Sequence, residues 1–152
     1  MLEFAFYKHS GTLTDKVIKF FSQANYSHVE YVAERTEESM VCLSASKRDN
    51  KEVRRKTIKY NKNHWDFIKV EGDPTKAKDF LESQLGEKYN MLGASVSILP
   101  FNIALGSGWF CGDLQATVFN VSSDKDFIPY ANTLTPGELY NKFVEINKGY
   151  NR

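Results

Sequence analysis

The chain has 152 residues, a length that fits one domain and leaves little room for a second. Hydrophobic residues make up 41% of it and charged residues 26%, a balance that allows a buried core and excludes a wholly disordered chain. The net charge of +1 excludes a protein that coats a polyanion through its overall charge. We therefore expect a single domain over residues 1–152, with any basic function confined to a local region.

The N-terminal half predicts a strand, a helix and then four more strands. Alternating apolar residues predict the opening strand over residues 2–7. Thr12 and Asp15 have the spacing of a capping box and predict a helix that ends near Ser22. Four later segments are rich in β-branched and aromatic residues and predict a contiguous antiparallel sheet: His28–Ala33, Met40–Ser44, Val53–Tyr60 and Trp65–Val70.

The C-terminal half predicts four helices. The first begins at Asp73-Pro74 and is closed by Gly86 as its C′ residue, and the second covers Met91–Ile98. The third begins near Cys111 and directs three apolar residues inward: Leu114, Val118 and Val121. The last begins at a capping box with proline at its first helical position: Thr135-Pro136-Gly137-Glu138. These elements predict an α+β domain in which the antiparallel sheet packs against helices.

No targeting or membrane-spanning segment is predicted. The first residues lack a basic region followed by an apolar one, so we expect no secretory signal. Residues 89–112 carry no charge, but polar residues and Pro100 interrupt them, which favours a buried helix and loop. The two cysteines and three histidines lack the paired spacings of zinc sites, so neither a metal nor a cofactor is predicted.

Cys111 and His28 are the residues best suited to chemistry. Cys111 lies where the stretch Gly108-Trp109-Phe110 meets a helical pattern, and unpaired N–H groups at a helix N-terminus stabilise a thiolate. His28 opens a strand and shares a face with Glu30, so it is a candidate base. The alternative is that Cys111 packs in the core, as predicted for Cys42, and that His28 is a structural histidine.

The residues beside this pair have both functional and structural interpretations. Glu30 lies about 6–7 Å along the strand from His28, so it can orient the imidazole only if the two side chains lean together. Asp113 is expected to complement the dipole of its helix. Tyr26 and Trp109 flank the pair and either bind substrate as walls of a cleft or belong to the core.

A basic segment runs from Lys47 to Lys62. It holds eight basic residues against Asp49 and Glu52, a local surplus of six positive charges. Such a surplus predicts a surface for an anionic partner such as a nucleic acid, a phospholipid headgroup or an acidic protein. No stacking aromatics or nucleic-acid motif accompany the charge, which favours the alternative of a solvated hairpin.

Six short motifs follow one another along most of the chain. They are Tyr26-Ser27-His28-Val29-Glu30, Leu43-Ser44-Ala45-Ser46-Lys47-Arg48-Asp49, Trp65-Asp66, Gly86-Glu87-Lys88-Tyr89-Asn90, Trp109-Phe110-Cys111-Gly112-Asp113 and Leu134-Thr135-Pro136. In order and spacing they resemble the circularly permuted branch of the NlpC/P60 papain-like superfamily, and in particular its small bacteriophage-encoded members.

The resemblance implies a papain-like core in which permutation places the histidine strand ahead of the cysteine helix. It implies that Cys111 is the nucleophile and His28 the general base, with an acyl-enzyme that water or another acceptor resolves. A third polar group would orient the imidazole, a role open here to Ser44, Glu30 or a backbone carbonyl. Members of the family tend to have Cys-Ser-Glu where this chain has Cys111-Gly112-Asp113, which leaves the surroundings of the nucleophile open.

The leading hypothesis is a cysteine hydrolase that cleaves an amide bond in a peptide or a peptidoglycan-derived peptide, in the host cytoplasm or the virion. One alternative keeps the fold but acts on lipid acyl groups, as a thiol acyltransferase or phospholipase. Another is a non-catalytic phage module that binds a host or virion protein. A sulfur-to-imidazole distance of about 3–4 Å would favour catalysis.

Overall fold

A single antiparallel sheet organises the chain in the computed structural model, which describes residues 1–8, 26–96, 106–129 and 131–150. Its strands are β1 Leu2–Tyr7, β2 His28–Arg35, β3 Ser39–Ser46, β4 Glu52–Lys59 and β5 Trp65–Val70, in the order β4-β3-β2-β1-β5. Every neighbouring pair is antiparallel, which confirms the predicted sheet. The helix predicted from Thr12 to Ser22 lies outside the described residues.

Four α-helices accompany the sheet in the described ranges. They are α1 Pro74–Ser83, α2 Met91–Val96, α3 Cys111–Ser122 and α4 Pro136–Tyr150, with short 3-10 helices at Lys62–His64 and Ala131–Thr133. This confirms a mixed domain of sheet and helices. Ile98, the predicted end of α2, falls outside the described residues. None of the helices described is long and apolar enough to cross a membrane.

Side-chain caps fix where two of these helices begin. Asp73 immediately precedes Pro74, the residue that opens α1. Its Oδ1 accepts a hydrogen bond from the Thr75 N–H at 2.8 Å. At the start of α4, the Thr135 N–H donates to Glu138 Oε2 at 2.8 Å, and the Glu138 N–H donates to Thr135 Oγ1 at 3.3 Å, which confirms the predicted capping box.

The C-terminal end of α1 differs from its prediction. The helix ends at Ser83 with Gln84 as its C-cap, so Gly86 lies one position beyond the C′ site that was predicted for it. Gly86 adopts the left-handed φ of 85° and donates its N–H to the Val53 carbonyl at 3.0 Å. The glycine therefore serves the turn that returns the chain to β4, after the helix has already ended.

The helices cover one face of the sheet and form the main core with it. Its largest fully buried members include Phe4, Phe6, Leu43, Leu114, Phe119, Leu139 and Phe143. Helix α3 packs against β2 and β3, and Gln115 Nε2 donates to the Leu43 carbonyl at 2.8 Å. Val121 is 42% exposed, so its predicted inward direction is wrong, because the helical period places Phe119 and Ser122 on the buried face instead.

The other face of the sheet carries a smaller apolar cluster. Its buried members are Ala5, Val32, Met40, Cys42 and Trp65. Cys42 is fully buried there, and burial raises the pKa of its thiol well above the usual range. The prediction that Cys42 packs in the core is confirmed. The two cysteines therefore differ in position, since Cys111 belongs to the cluster on the helical face.

Candidate active site

Cys111 is the first residue of α3, and its side chain lies at the N-terminal end of that helix. The residue is 6% exposed. Asp113, also buried, accepts a hydrogen bond from the Phe110 N–H at 2.8 Å and so caps the helix. Burial raises the pKa of Asp113 to about 8 against the opposing effect of its backbone donors. A largely neutral carboxyl group at pH 7 exerts little repulsion on a Cys111 thiolate.

Gly112 permits a close approach of two backbone segments next to the nucleophile. A Cβ atom at this position would collide with the Leu134 carbonyl oxygen. Thr135 and Pro136, which follow Leu134, line the cavity in front of Cys111. Glycine is therefore the residue that this backbone requires at the position where the resembled family tends to have serine.

The segment before Cys111 is tied to the loop between α1 and α2. Trp109 donates its N–H to the Lys88 carbonyl at 3.0 Å, and Asn90 donates its N–H to the Trp109 carbonyl at 2.8 Å. Gly108 has a φ of 91° and lies so close to the Lys88 carbonyl that no Cβ would fit. These contacts hold the backbone that leads into α3.

His28 begins β2 beside the end of β1 and contacts Cys111. Its Nε2 atom lies 2.8 Å from Glu30 Oε1, and the Cys111 side chain is close enough to act electrostatically on the same ring. Because Glu30 occupies Nε2, Nδ1 is the ring nitrogen left for the sulfur. Burial lowers the pKa of His28, but Cys111 and Glu30 together outweigh that effect and raise it to about 10. The His28 ring is therefore protonated at neutral pH.

Glu30 is the residue that orients the imidazole. It is fully buried, and Arg54 donates to it from both terminal nitrogens, Nη1 to Oε2 at 2.7 Å and Nη2 to Oε1 at 2.6 Å. Burial raises the pKa of Glu30, but Arg54 and His28 outweigh this effect and lower the pKa to about 2. Arg54 is held in turn by Asp49, whose Oδ2 accepts from Nε at 3.0 Å.

Ser44 occupies a structural position beside this network. It pairs with Arg54 in the register of β3 and β4, but its hydroxyl donates to the Val29 carbonyl at 2.8 Å. The contact with the His28 ring is made by the Glu30 carboxylate and not by the Ser44 hydroxyl. Of the two side chains that the sequence offered for orientation, the geometry therefore selects Glu30.

Tyr26 and Trp109 do not wall the cavity as predicted. The Tyr26 hydroxyl donates to Asp66 Oδ2 at 2.7 Å, and its ring packs edge-on against Phe6. Trp109 Nε1 donates to Gln84 Oε1 at 2.9 Å. Neither ring belongs to the cavity lining among the described residues, because both are turned toward packing and hydrogen-bond partners elsewhere.

A cavity of about 750 Å³ opens in front of the pair. Besides His28 and Cys111, its lining includes the aromatic residues Tyr7, Tyr60, Trp65, Tyr89 and Phe110. Burial and the nearby Cys111 raise the pKa of Tyr89 well above 10, so its phenol remains a hydrogen-bond donor at neutral pH. Space for a ligand therefore adjoins the sulfur directly.

Two side chains of the site were missed by reasoning from the sequence. Arg54 was counted only among the charges of a basic segment, and Tyr89 figured only in a motif of the resemblance. A charge count carries no information on which strand lies next to β2. The sole sequence signal for Arg54 is its position on a predicted strand. That position does not identify Glu30 as its buried partner.

The pH dependence of His28 provides a prediction. Because its pKa is raised from 6.5 to about 10, its stabilising contribution is complete below pH 6.5 and is lost as the pH rises through about 10. We expect its imidazole NMR signals to remain those of the protonated ring at pH 8. The Cys111→Ala variant should titrate at a lower pH, since Cys111 is the largest raising influence. A wild-type midpoint at or below 6.5 would contradict the ion pair.

In the part of the chain that the structure describes, no three His, Cys, Asp or Glu side chains are grouped to hold a metal ion. Comparison with protein-family models, with curated proteins and with solved structures found no match. The geometry of Cys111, His28 and Glu30 is thus the basis on which a function is assigned.

Proposed function

We propose that the chain is a cysteine hydrolase that cleaves an amide bond in a peptide or a peptidoglycan-derived peptide, with the arrangement of the permuted NlpC/P60 branch. One observation carries the proposal: His28, held at 2.8 Å by the buried Glu30 carboxylate, lines the same cavity as Cys111 and lies close enough to interact with it. Nucleophile, base and orienting group in one line form the constellation that cysteine hydrolases use. A histidine that served packing alone would need neither the sulfur nor the carboxylate.

The first half of the reaction is acylation. The Cys111 thiolate attacks the carbonyl carbon of the scissile amide, and the carbonyl oxygen takes the negative charge of the tetrahedral intermediate. N–H groups in the first turn of α3 have no partner within the helix and can stabilise that oxygen. The imidazolium of His28 then gives its proton to the amide nitrogen, the C–N bond breaks, and the amine leaves a thioester on Cys111.

The second half is hydrolysis of the thioester. His28, now neutral, takes a proton from a water molecule as the water oxygen attacks the thioester carbon. The C–S bond then breaks, the carboxylic acid leaves, and the thiolate and imidazolium are restored. Glu30 stays hydrogen-bonded to Nε2 of the ring throughout, so Nδ1 remains directed to the reacting atoms.

The proposed function is tested by trapping the thioester. The protein is incubated with a panel of peptides and peptidoglycan-derived peptides, and its intact mass is followed while the product is quantified. We expect an acyl adduct that maps to Cys111, followed by release of the acid. Release of product with no dependence on Cys111 would overturn the assignment.

Alkylation by iodoacetamide provides a prediction that needs no substrate. We expect Cys111 to react much faster than Cys42 near neutral pH, because His28 stabilises the Cys111 thiolate and Cys42 is fully buried. Peptide mapping by mass spectrometry measures the two rates. The His28→Ala variant separates activation from access: it opens space beside Cys111 but should slow its alkylation. Equal rates for the two cysteines would favour a non-catalytic binding module.

A second candidate function is a lipid-directed thiol acyltransferase or phospholipase. Two large apolar side chains of α2 favour it: Met91 is 40% exposed and Leu92 is 54% exposed, and Met91 also lines the cavity. Exposed apolar groups beside a reactive sulfur would suit an acyl chain that leaves a bilayer. Co-sedimentation with phosphatidylcholine vesicles and release of fatty acid by the wild type, but not by Cys111→Ala, would favour this function over peptide cleavage.

A further inference from the structure

A series of ion pairs leads from the rim of the cavity to the imidazole of His28. At its outer end, Lys56 Nζ donates to Asp49 Oδ1 at 2.6 Å. Arg54 Nε donates to Asp49 Oδ2 at 3.0 Å, and both terminal nitrogens of Arg54 donate to Glu30. Glu30 Oε1 lies 2.8 Å from the Nε2 atom of His28. Positive and negative groups therefore alternate along the series, and all five side chains line the cavity in front of the nucleophile.

The series passes from solvent into the buried part of the site. The exposed fraction of the side chain falls from 50% at Lys56 to 27% at Asp49, 11% at Arg54 and 1% at Glu30. A nearly buried guanidinium needs fixed acceptors, and its planar fork can bind two carboxylates at once. Because Asp49 takes the Nε donor and Glu30 takes the two terminal nitrogens, the two carboxylates together fix the plane of Arg54.

Asp49 is held by the turn that joins β3 to β4. Ser46 Oγ accepts a hydrogen bond from the Asp49 N–H at 3.3 Å, and the same oxygen accepts one from the Arg48 N–H. The next two residues, Asn50 and Lys51, have left-handed φ values of 54° and 57°. Neither is a glycine, so this backbone costs free energy that other contacts must offset. The turn brings the Asp49 carboxylate back over β4, beside the side chains that it binds.

The alternative for Asp49 is a role confined to folding of the hairpin. An ordinary surface ion pair lies on the opposite face of β4, where Arg55 Nη1 donates to Glu82 Oε1 at 3.4 Å between two exposed side chains. Such a pair contributes little to stability and touches no reacting group. Asp49 differs, because its partner Arg54 also binds the carboxylate that holds the imidazole.

We propose that Asp49 is a positioning residue for the reaction at Cys111. It fixes the Arg54 guanidinium, which holds the orienting carboxylate of Glu30 in place. This inference rests on the proposed function and deepens it, because it extends the machinery from the reacting pair to the turn between β3 and β4. Without the Asp49 carboxylate, the guanidinium would lose the contact that fixes its plane. The imidazole of His28 would then be held less rigidly, and fewer encounters with substrate would find it aligned.

The Asp49→Asn variant tests this role, since asparagine keeps the size of the side chain and is common in turns. We expect the NMR titration midpoint of His28 to fall by at least about half a pH unit, because a loosened Glu30 stabilises the imidazolium less. Alkylation of Cys111 by iodoacetamide at pH 7 should slow about two- to fivefold. For a peptide that the protein hydrolyses, kcat should fall about three- to tenfold at unchanged KM.

Glu82→Gln is the matched control. It removes a carboxylate from Arg55, the neighbour of Arg54 on β4, and leaves the cavity untouched. The His28 midpoint, the alkylation rate and kcat should all keep their wild-type values in this control. If Asp49→Asn unfolded at a lower urea concentration while these three readouts stayed at wild-type values, Asp49 would serve the hairpin alone and the inference would be overturned.

The Glu30→Gln background separates positioning from a direct electrostatic effect of Asp49 on the imidazole. We expect Asp49→Asn to change the His28 midpoint little in that background, since the carboxylate through which it acts is gone. An equal fall in both backgrounds would overturn the inference. If no peptide were hydrolysed in a Cys111-dependent manner, the proposed function would fail, and the His28 titration would still decide whether Asp49 positions the ring.

Discussion

The Cys111→Ala variant is expected to lose amide hydrolysis altogether, while its free energy of unfolding stays within about 2 kcal/mol of the wild type. The sulfur is the only atom of this residue that can carry the acyl group. Removing it at the N-terminal end of α3 leaves the helix caps intact and takes a single atom from the main core. Product release under saturating substrate and urea unfolding monitored by fluorescence measure the two quantities.

The His28→Ala variant is expected to lose turnover to a similar extent, because a thiolate without its base and proton donor cannot complete either half of the reaction. Combining the two substitutions should cost little more than either one, since the pair acts as a unit. Cys42→Ala is the matched control: it removes a buried thiol on the other face of the sheet, and it should lower stability without lowering turnover. Residual hydrolysis in Cys111→Ala comparable to that of the wild type would contradict the mechanism.

Much of the secondary structure was predictable because its signals are local. Alternation set β1, the Asp73-Pro74 pair set the start of α1, and the capping box at Thr135 set the start of α4. Each depends on residues within a few positions of one another. The orientation of Val121 was missed because successive residues of a helix point in directions about 100° apart. An error of one position near the end of α3 therefore exchanges a buried residue for an exposed one.

The candidate site was only partly predictable, for a reason that Glu30 illustrates. Its separation from His28 along the strand left their contact undecided, and the observed 2.8 Å between Nε2 and Oε1 depends on Arg54 reaching across from β4. That reach follows from the pairing of β2 with β3 and of β3 with β4. Strand order and register are long-range properties, so a sequence read segment by segment cannot supply them.

The directions of two aromatic side chains were likewise not predictable from nearby residues. Tyr26 and Trp109 were assigned to the cleft because each is two residues from a member of the pair. On a strand, a residue two positions away shares the face only if the strand is regular, and Tyr26 precedes the start of β2. The hydrogen bonds of both rings to distant residues decide their directions instead.

The second large effect is expected at Glu30. The Glu30→Ala variant should lose about 3–5 kcal/mol of stability, because Arg54, only 11% exposed, would lose its bidentate carboxylate and keep only Asp49, and the protonated His28 would lose its carboxylate as well. Glu30→Gln keeps the shape and one acceptor oxygen but removes the charge. It should remain folded, with kcat lowered by about 100-fold or more while KM changes little, since the imidazole would lose its anchor but the cavity would keep its form.

A positioning role for Glu30 is distinguished from a structural one by the titration of His28. Loss of the carboxylate charge should lower the pKa of His28 in Glu30→Gln, because the charge raises it in the wild type. Ser44→Ala is the control, since it removes the hydrogen bond to the Val29 carbonyl and costs about 1 kcal/mol without touching the ring. If Ser44→Ala lowered kcat and the His28 pKa as much as Glu30→Gln did, the orienting group would be the serine and the network with Arg54 would serve folding alone.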